Sequence, residues 1–572
     1  MKNSANLVYQ KSITKLFTFL KNKNNIRDAY LNSITVQDEG LLLPFCKCHL
    51  KNNSLITKIK NWEIGIDSLC YDEASNHIDY LKNWLEKSIL NTDDVLLFLC
   101  MDDADKLIGC LGFKNCHNEE NLMQVFLFTE NNKTLDSGLF AKALESMIEW
   151  ARKTINCNGF FIESLVTDQG IISFYKKNGF KEDISHDKSE SLRLLYSSPT
   201  NAGEDMILTA GPSISQIESF YCYDAAKNGW NSSWAKYLNQ FEEEFAQYVD
   251  AKYALATSSC TGALQIALLA LDIGVGDEVI VPDQTWVATA NAVRYVGATP
   301  VFADVELDSW NLDASSVESL ITDKTKAIMP VHMYGHPARM TKILEVAHKY
   351  NLKIVEDAAP AIGAEWEGQR CGSFGDFAGF SFQGAKLLVT GEGGMLVTSD
   401  EQLFIKAKKI WDQGRNPNSL RAFWIDSEGV KFKMSNVQAA VGLGQLQRAD
   451  ELIEMKRRIF SWYDEELGDL DCVRLNREVE GARSIYWMSS IFVNDNAKCG
   501  RDELMSLLKE KNIDTRPVFP AISQYPIWNN SVHNTQPNAK LIGDSAMNLP
   551  SGVCLEKTQI KYICDAIKLF CN

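Results

Sequence analysis

The sequence predicts an α/β protein in two parts. An α+β domain comes first, followed by a larger domain on a mostly parallel sheet that ends in a small α+β subdomain. Three observations carry this. From about Met206 onward, short apolar runs alternate with stretches long enough for crossover helices, as in a parallel sheet. Before Tyr196 the order is instead hairpin, strand, helix, strand and helix. Between them, residues 197–205 are polar and carry Pro199 and Gly203, which reads as a linker. The expected divisions are a tail or helix at 1–32, a first domain at 33–196, a linker at 197–209, a large domain at 210–450 and a small subdomain at 451–572.

Length and composition bound the rest. A chain of 572 residues is too long for one ordinary core. Its 45% hydrophobic and 23% charged residues are those of a soluble globular protein. A net charge of −16 argues against nonspecific nucleic-acid or anionic-membrane partners. The apolar patch at 16–20 is too short for a signal-peptide core, and no apolar run approaches a membrane span. Fifteen cysteines are scattered without a framework, which suits reduced thiols and a cytoplasmic location. Cys46, Cys48 and His49 resemble metal ligands but have no second half, so no metal is expected.

Residues 1 to about 30 read as a Lys/Asn-rich helix or tail with little to bury. Runs at 95–100 and 107–113, joined by the turn residues Asp102, Asp103 and Asp105, form a hairpin, and 122–128 a third strand. Leu139, Ala143, Met147, Ile148 and Ala151 recur at helical spacing. A strand at 159–165, a helix from near Gln169 and the segment Phe174-Tyr175-Lys176-Lys177-Asn178-Gly179-Phe180 complete the domain.

That order, with its FYKKNGF segment, resembles the GNAT N-acyltransferases. In that family the strand–helix junction before the long helix binds the coenzyme A pyrophosphate, a task suited to the unpaired donors and dipole of a helix N-terminus. The resemblance implies acetyl-CoA as a possible cosubstrate, with Gly138 retained from the family's loop. Leu135 replaces its usual polar residue, Asp136 brings a negative charge and Phe140 adds bulk, while Asp168 stands where the family often has Asn. Tyr175 matches the general acid that protonates the departing thiolate. The same tyrosine also reads as an aromatic packing on the last helix.

In the larger domain, strand-like runs lie at 278–281, 301–305, 327–331 and 353–357, and ligands in such sheets sit beyond the carboxyl ends of the strands. Ser258, Ser259, Cys260, Thr261 and Gly262 precede an Ala/Leu-rich helix at 263–270, either as a phosphate cradle or as an ordinary N-cap. Trp286 follows a strand end, where a flat aromatic either stacks on a heterocycle or fills core. Asp357 ends its strand. There a carboxylate either caps a helix, ligates a metal, or holds a pyridine nitrogen protonated, an attraction of roughly 4 kcal/mol at 4 Å and an effective dielectric near 20. Lys386 lies between an apolar run and the turn Gly391-Glu392-Gly393-Gly394, with Ser381 five residues before it. A buried lysine with a depressed pKa forms Schiff bases, and the glycines allow close approach and positive φ.

Phosphate cradle, stacking ring, pyridinium partner and lysine, in this order, resemble the DegT/StrS nucleotide-sugar aminotransferases, fold-type I enzymes that use pyridoxal 5′-phosphate (PLP). Stretches at 274–282, 330–337, 372–376 and 435–440 carry the likeness further, from about 210 to the C-terminus and with a leaning toward perosamine synthases. The resemblance implies Lys386 as Schiff-base lysine and proton shuttle, Asp357 on the pyridinium, Trp286 on the ring, and Cys260, Thr261 and Ser381 on the phosphate. It implies ping-pong transamination of a 4-keto-6-deoxy nucleotide sugar, with glutamate as amino donor and a homodimer that shares its active sites. Two positions depart from the pattern. Pro360 stands where the family has Gln or Glu, and Lys431 replaces an Asn that reaches the neighbouring subunit's cofactor phosphate. The first domain then reads either as an acyltransferase that acylates the new amine or as a binding and assembly module.

Overall fold

The computed structural model describes every residue except 1, 38, 61, 63–77, 116–121, 131, 136, 156, 158, 166–168, 184–190, 197–202, 204, 417–420, 422–423 and 529–535. The chain divides into two units, one of Met1–Thr200 with Ile214–Phe220, the other of Asn201–Ser213 with Tyr221–Asn572. Much of the expected linker, with Asp136 and Asp168, lies outside the described residues.

The N-terminal unit is built on an eight-stranded sheet. Its centre is the meander Gly40–Pro44, Val95–Asp102, Leu107–Asn115 and Leu122–Thr129, antiparallel throughout. Leu122–Thr129 then pairs in parallel with Gly159–Leu165 over only three residue pairs, Leu122 to Gln124 against Gly159 to Phe161. The 17-residue helix Gly138–Thr154 joins these two strands and packs Ala143, Leu144, Met147, Ile148 and Ala151 inward, the face its spacing predicts. One expectation fails here. The helix Lys2–Lys21 does have something to bury, because Ile13, Leu16, Phe17 and Leu20 are all at most 5% exposed. Its spacing was masked by the lysines and asparagines between those positions.

The C-terminal unit carries a seven-stranded sheet in the order Thr299–Ala303, Glu278–Pro282, Thr325–Ile328, Lys353–Asp357, Phe377–Ser381, Gly394–Thr398, Tyr253–Thr257. The first five are parallel, and Gly394–Thr398 is antiparallel to both neighbours. Helices Cys260–Ala270 and Ala288–Tyr295 cover one face with small apolar residues, which lets them lie close to the strands. The subdomain adds an antiparallel four-stranded sheet, Val473–Leu475, Ser490–Val493, Ala546–Asn548 and Arg516–Pro517, against helices Ala449–Leu467 and Lys557–Cys571. The last part of the expected linker is folded rather than free. Ile207 and Thr209 are buried, and Ile207 exchanges backbone hydrogen bonds with Asn512 and Asp514.

Candidate active site

Alternation along Lys353–Asp357 decides which acid reaches the strand end. Glu356 and Asp357 point to opposite faces. Glu356 accepts the backbone N–H groups of Gly372, Phe374 and Gly375 at 2.7–2.9 Å and pairs with His332 Nε2 at 3.0 Å, with neither side chain exposed. It is an anchor for the 372–375 loop. Asp357 faces the other way, where Thr289 Oγ1 donates to its Oδ2 at 2.6 Å, Ala359 N–H to its Oδ1 at 3.1 Å, and the Cys260 thiol lies 4.0 Å from Oδ1. Burial pushes the Asp357 carboxyl up, opposed by the Thr289 and Ala359 bonds and by Lys386. Among the described residues no lysine or arginine pairs with this buried carboxylate. A cationic ring nitrogen is the partner its surroundings lack.

Lys386 stands in the 382–393 connection between Phe377–Ser381 and Gly394–Thr398, whose base is closed by Phe382 N–H to Gly393 O and Thr390 N–H to Phe382 O. The half-buried amine is lowered to about 8, first by burial and against the pull of Asp357 and Cys260. The glycine turn does what its residues predict. Gly391 has φ +85°, and a Cβ on Gly394 would come within 2.4–2.5 Å of the Ser259 and Cys260 backbone. This close approach brings the lysine's hairpin against the start of the helix Cys260–Ala270.

That helix begins three residues before its expected start, capped by Ser259, whose Oγ accepts from Gly262 N–H at 3.1 Å. Cys260 and Thr261 therefore form its first turn, where free N–H groups suit a phosphate. Ser381 sits beside them, opposite Gly394 in the strand register. Trp286 is 55% exposed with a free face, tilted against Phe519 at 5.4 Å. Phe519 stacks on Tyr334 (5.6 Å), and Tyr334 on Trp487 (5.9 Å), so a file of aromatic rings runs from Trp286 to the ring beneath Lys386. Tyr334 takes part at φ +51°, a left-handed conformation that a bulky residue adopts only when its surroundings enforce it.

Lys386, Asp357, Cys260, Thr261, Ser381 and Trp286 thus converge at one end of the sheet, and the donor set fits a phosphorylated pyridine aldehyde. Lys431 does not join them in this chain. It is exposed on the 429–434 segment, while its neighbour Phe432 packs on Gly262 and Lys433 pairs with Asp412. Pro360 is buried beyond Asp357 and offers no side-chain hydrogen bond. Thr289 and Trp487 were not foreseen. Thr289 was legible in principle, one helical turn after Trp286. Trp487 was not, because its segment enters from the subdomain.

In the N-terminal unit, Ser137 caps the helix and accepts from Phe140 N–H at 3.4 Å, and exposed Gly138 has open space where a side chain would be. Leu135 and Phe140 turn inward, and the Phe140 ring occupies the space a Cβ on Gly109 would need. Tyr175 is packed against Phe174 and Phe180, 2% exposed, with a hydroxyl that has no partner among the described residues and a pKa that burial pushes up. Cys46, Cys48 and His49 bring their ligand atoms within 4.8 Å of one another. Burial pushes the Cys46 thiol up and His49 down to about 4, and His49 Nδ1, which faces both thiols, already accepts the Cys46 N–H at 3.0 Å.

Residues 212–568 match the model of the DegT/DnrJ/EryC1/StrS aminotransferase family, and residues 55–189 that of an acetyltransferase (GNAT) domain. Among curated proteins the chain is similar to the GDP-perosamine synthases of Escherichia coli O157:H7 (40% identity over 359 residues) and Caulobacter vibrioides (39% over 362 residues). Each match covers 63% of this chain and 97% of the relative. Among solved structures it is similar to S. venezuelae DesV, at 32% identity and a TM-score of 0.57, over 62% of this chain and 93% of that one. It is also similar to 3-amino-5-hydroxybenzoic acid synthase, at 28% and 0.60, over 64% and 98%.

Proposed function

Because this chain belongs to the DegT/DnrJ/EryC1/StrS aminotransferase family, we propose that it is a bifunctional enzyme of aminosugar synthesis. The chain is a PLP-dependent sugar aminotransferase with a GNAT domain. In the finer reading, the C-terminal unit aminates a 4-keto-6-deoxy nucleotide sugar at the expense of glutamate, and the N-terminal unit acylates the new amine from acetyl-CoA. The observation that carries the first half is Asp357, a buried carboxylate held by Thr289 and Ala359 near Lys386 and, among the described residues, in no ion pair with a lysine or arginine.

When bound, PLP supplies an aldehyde that condenses with amines and a ring that takes up the electron pair of a breaking C–H bond. Asp357 would keep the proton on the ring nitrogen, and Trp286 would stack on the ring. The first turn at Cys260 and Thr261, with Ser381, would hold the phosphate. Lys386 Nζ, lowered by burial to about 8, is placed to take a proton from the donor's carbon when neutral and to deliver one to the sugar's carbon when protonated. Lys431, exposed, is free to serve a neighbouring subunit's phosphate in a homodimer. Fusion of the two units raises the local concentration of the aminated sugar at the acylation site. The described cysteines are unbridged, and no described helix is long and apolar enough to cross a membrane, which supports a cytoplasmic setting.

The buried Tyr175 and the inward Leu135 and Phe140 favour a second reading, in which the N-terminal unit binds or assembles without catalysis. Mass spectrometry of products from a panel of keto-sugar nucleotides with glutamate, with and without acetyl-CoA, tests both. Amination followed by an acetyl mass increment supports the bifunctional enzyme. Amination alone, with no saturable acetyl-CoA binding, leaves the module. No amination of any keto sugar defeats the proposal.

A further inference from the structure

We infer that Trp487 is a positioning residue for Lys386, its indole face being the seat on which the free amine rests whenever the lysine is not covalently engaged. This rests on the reading of Lys386 as the lysine that binds the cofactor and moves the proton. Nζ lies 3.7 Å from the centroid of the Trp487 ring and donates to no oxygen among the described residues. The ring is 6% exposed and fixed from several sides. Its Nε1–H donates to Ala385 O at 2.7 Å, which ties it to the backbone of the lysine's own neighbour. Tyr334 stacks on it, a Cβ on Gly335 would press within 2.9 Å of its amide nitrogen, and its carbonyl accepts from Lys456 Nζ at 2.9 Å.

A π face suits a lysine that must leave and return. A cation over an aromatic ring is stabilised electrostatically even where water is excluded, and no directed hydrogen bond has to break for the amine to depart. A carbonyl or carboxylate in the same place would hold the ammonium proton along one line. The charged and titratable groups facing Lys386 are Asp357 and Cys260, with His332 behind Asp357. Asp357 belongs to the sheet, Cys260 to its covering helix and His332 to the loop after the strand Thr325–Ile328, whereas Trp487 comes from the subdomain side. The indole stabilises only the protonated amine, so its removal makes Lys386 harder to protonate.

The test is the titration of Lys386 in the full-length apoenzyme, read by competitive acetic anhydride labelling across pH with peptide-resolved mass spectrometry. Trp487→Leu should lower the Lys386 pKa by about one unit, and Trp487→Phe, which keeps a ring face, should lower it less. If the leucine variant does not fold, stepwise fluorination of tryptophan at position 487 alone keeps the shape while draining the π face, and the pKa should fall with each fluorine. A pKa that ignores both the leucine variant and fluorination overturns the inference. Lys386→Ala separates the two layers. If that variant still binds PLP as an absorbing adduct and transaminates, the underlying reading fails. If it is dead while the Trp487 variants leave the titration unmoved, only the inference fails.

Discussion

Burial lowers two amines to about 8, those of Lys21 in the N-terminal unit, which is fully buried, and of Lys386 in the C-terminal unit, which is half-buried. Their surroundings differ in kind. Lys21 Nζ donates to the carbonyls of Ile89 and Val95, each at 3.1 Å, and to that of Thr92. All three of its protons are spoken for. Lys456, lowered to about 7, is similarly tied to the carbonyls of Trp487 and Ser551. Lys386 has a ring face and, among the described residues, donates to no oxygen. A shifted pKa therefore does not by itself mark a reactive lysine. Unused donor capacity beside an unpaired buried carboxylate does.

Substitutions should separate the two kinds of lysine, and the largest effect belongs to Lys386. Lys386→Ala should lower kcat by about 10⁴-fold, the upper range for a positioned acid–base group, and abolish the visible absorbance of the bound cofactor. Lys21→Met and Lys456→Met should retain both. A Lys21→Met enzyme as dead as Lys386→Ala would break the distinction. Next comes Asp357→Asn. It removes an attraction of roughly 4 kcal/mol, so steady-state transamination should fall about 10³-fold while cofactor binding, followed by dialysis and absorbance, persists.

Lys21→Met should act on stability instead. It orphans three carbonyls, at a net cost of about 2 kcal/mol, measured by denaturant unfolding of the full chain. The pH dependence follows from the direction of the shift. Between the folded value of about 8 and the ordinary lysine value of 10.5, the unfolded chain binds more protons than the folded one, so stability rises with pH across that window. Below about 8 both states are protonated and the burial penalty is fully present. The wild type should therefore gain on Lys21→Met as pH rises from 8 to 10.5. The smallest effects are those of the helix caps, about 1 kcal/mol each for Ser259→Ala and Ser137→Ala. Isothermal titration should show the former weakening PLP as well, since its cap shapes the turn proposed to hold the phosphate.

Much of the C-terminal candidate site was legible because each proposed participant stands at a strand end or a turn, places where residue type has a local reason. Asp357 closes an apolar run, Gly391 and Gly394 need a conformation or a closeness that side chains forbid, and Trp286 follows a strand. Thr289 and Trp487 were hidden because their meaning lies in which chain segments meet, and nothing local marks a threonine early in a helix or one tryptophan among thirteen. The helix start at Cys260 was misjudged because Ser258, Ser259 and Thr261 are all acceptable caps, and packing against the Gly394 backbone selects among them. In the N-terminal unit, Leu135 and Phe140 read as departures from a binding loop. Structurally they are core residues, Phe140 having Gly109 across from it to receive its ring.

The turn at Tyr334 and Gly335 limits how far this pocket can be remodelled. Both residues are left-handed, at φ +51° and +92°, and the glycine has Ile485 and Trp487 against the place where a side chain would start. A designer wishing to enlarge the cavity for a bulkier sugar would reach first for Tyr334, since its ring stands between Phe519 and Trp487. Replacing it with an aliphatic residue keeps the awkward backbone while deleting the ring that wedges it there, so the loop would be freed to spring elsewhere. Asparagine or glycine, which tolerate that conformation, are the exchanges most compatible with leaving the aromatic neighbours in place. Reshaping is better begun at Trp286, whose ring is already open to solvent on one side.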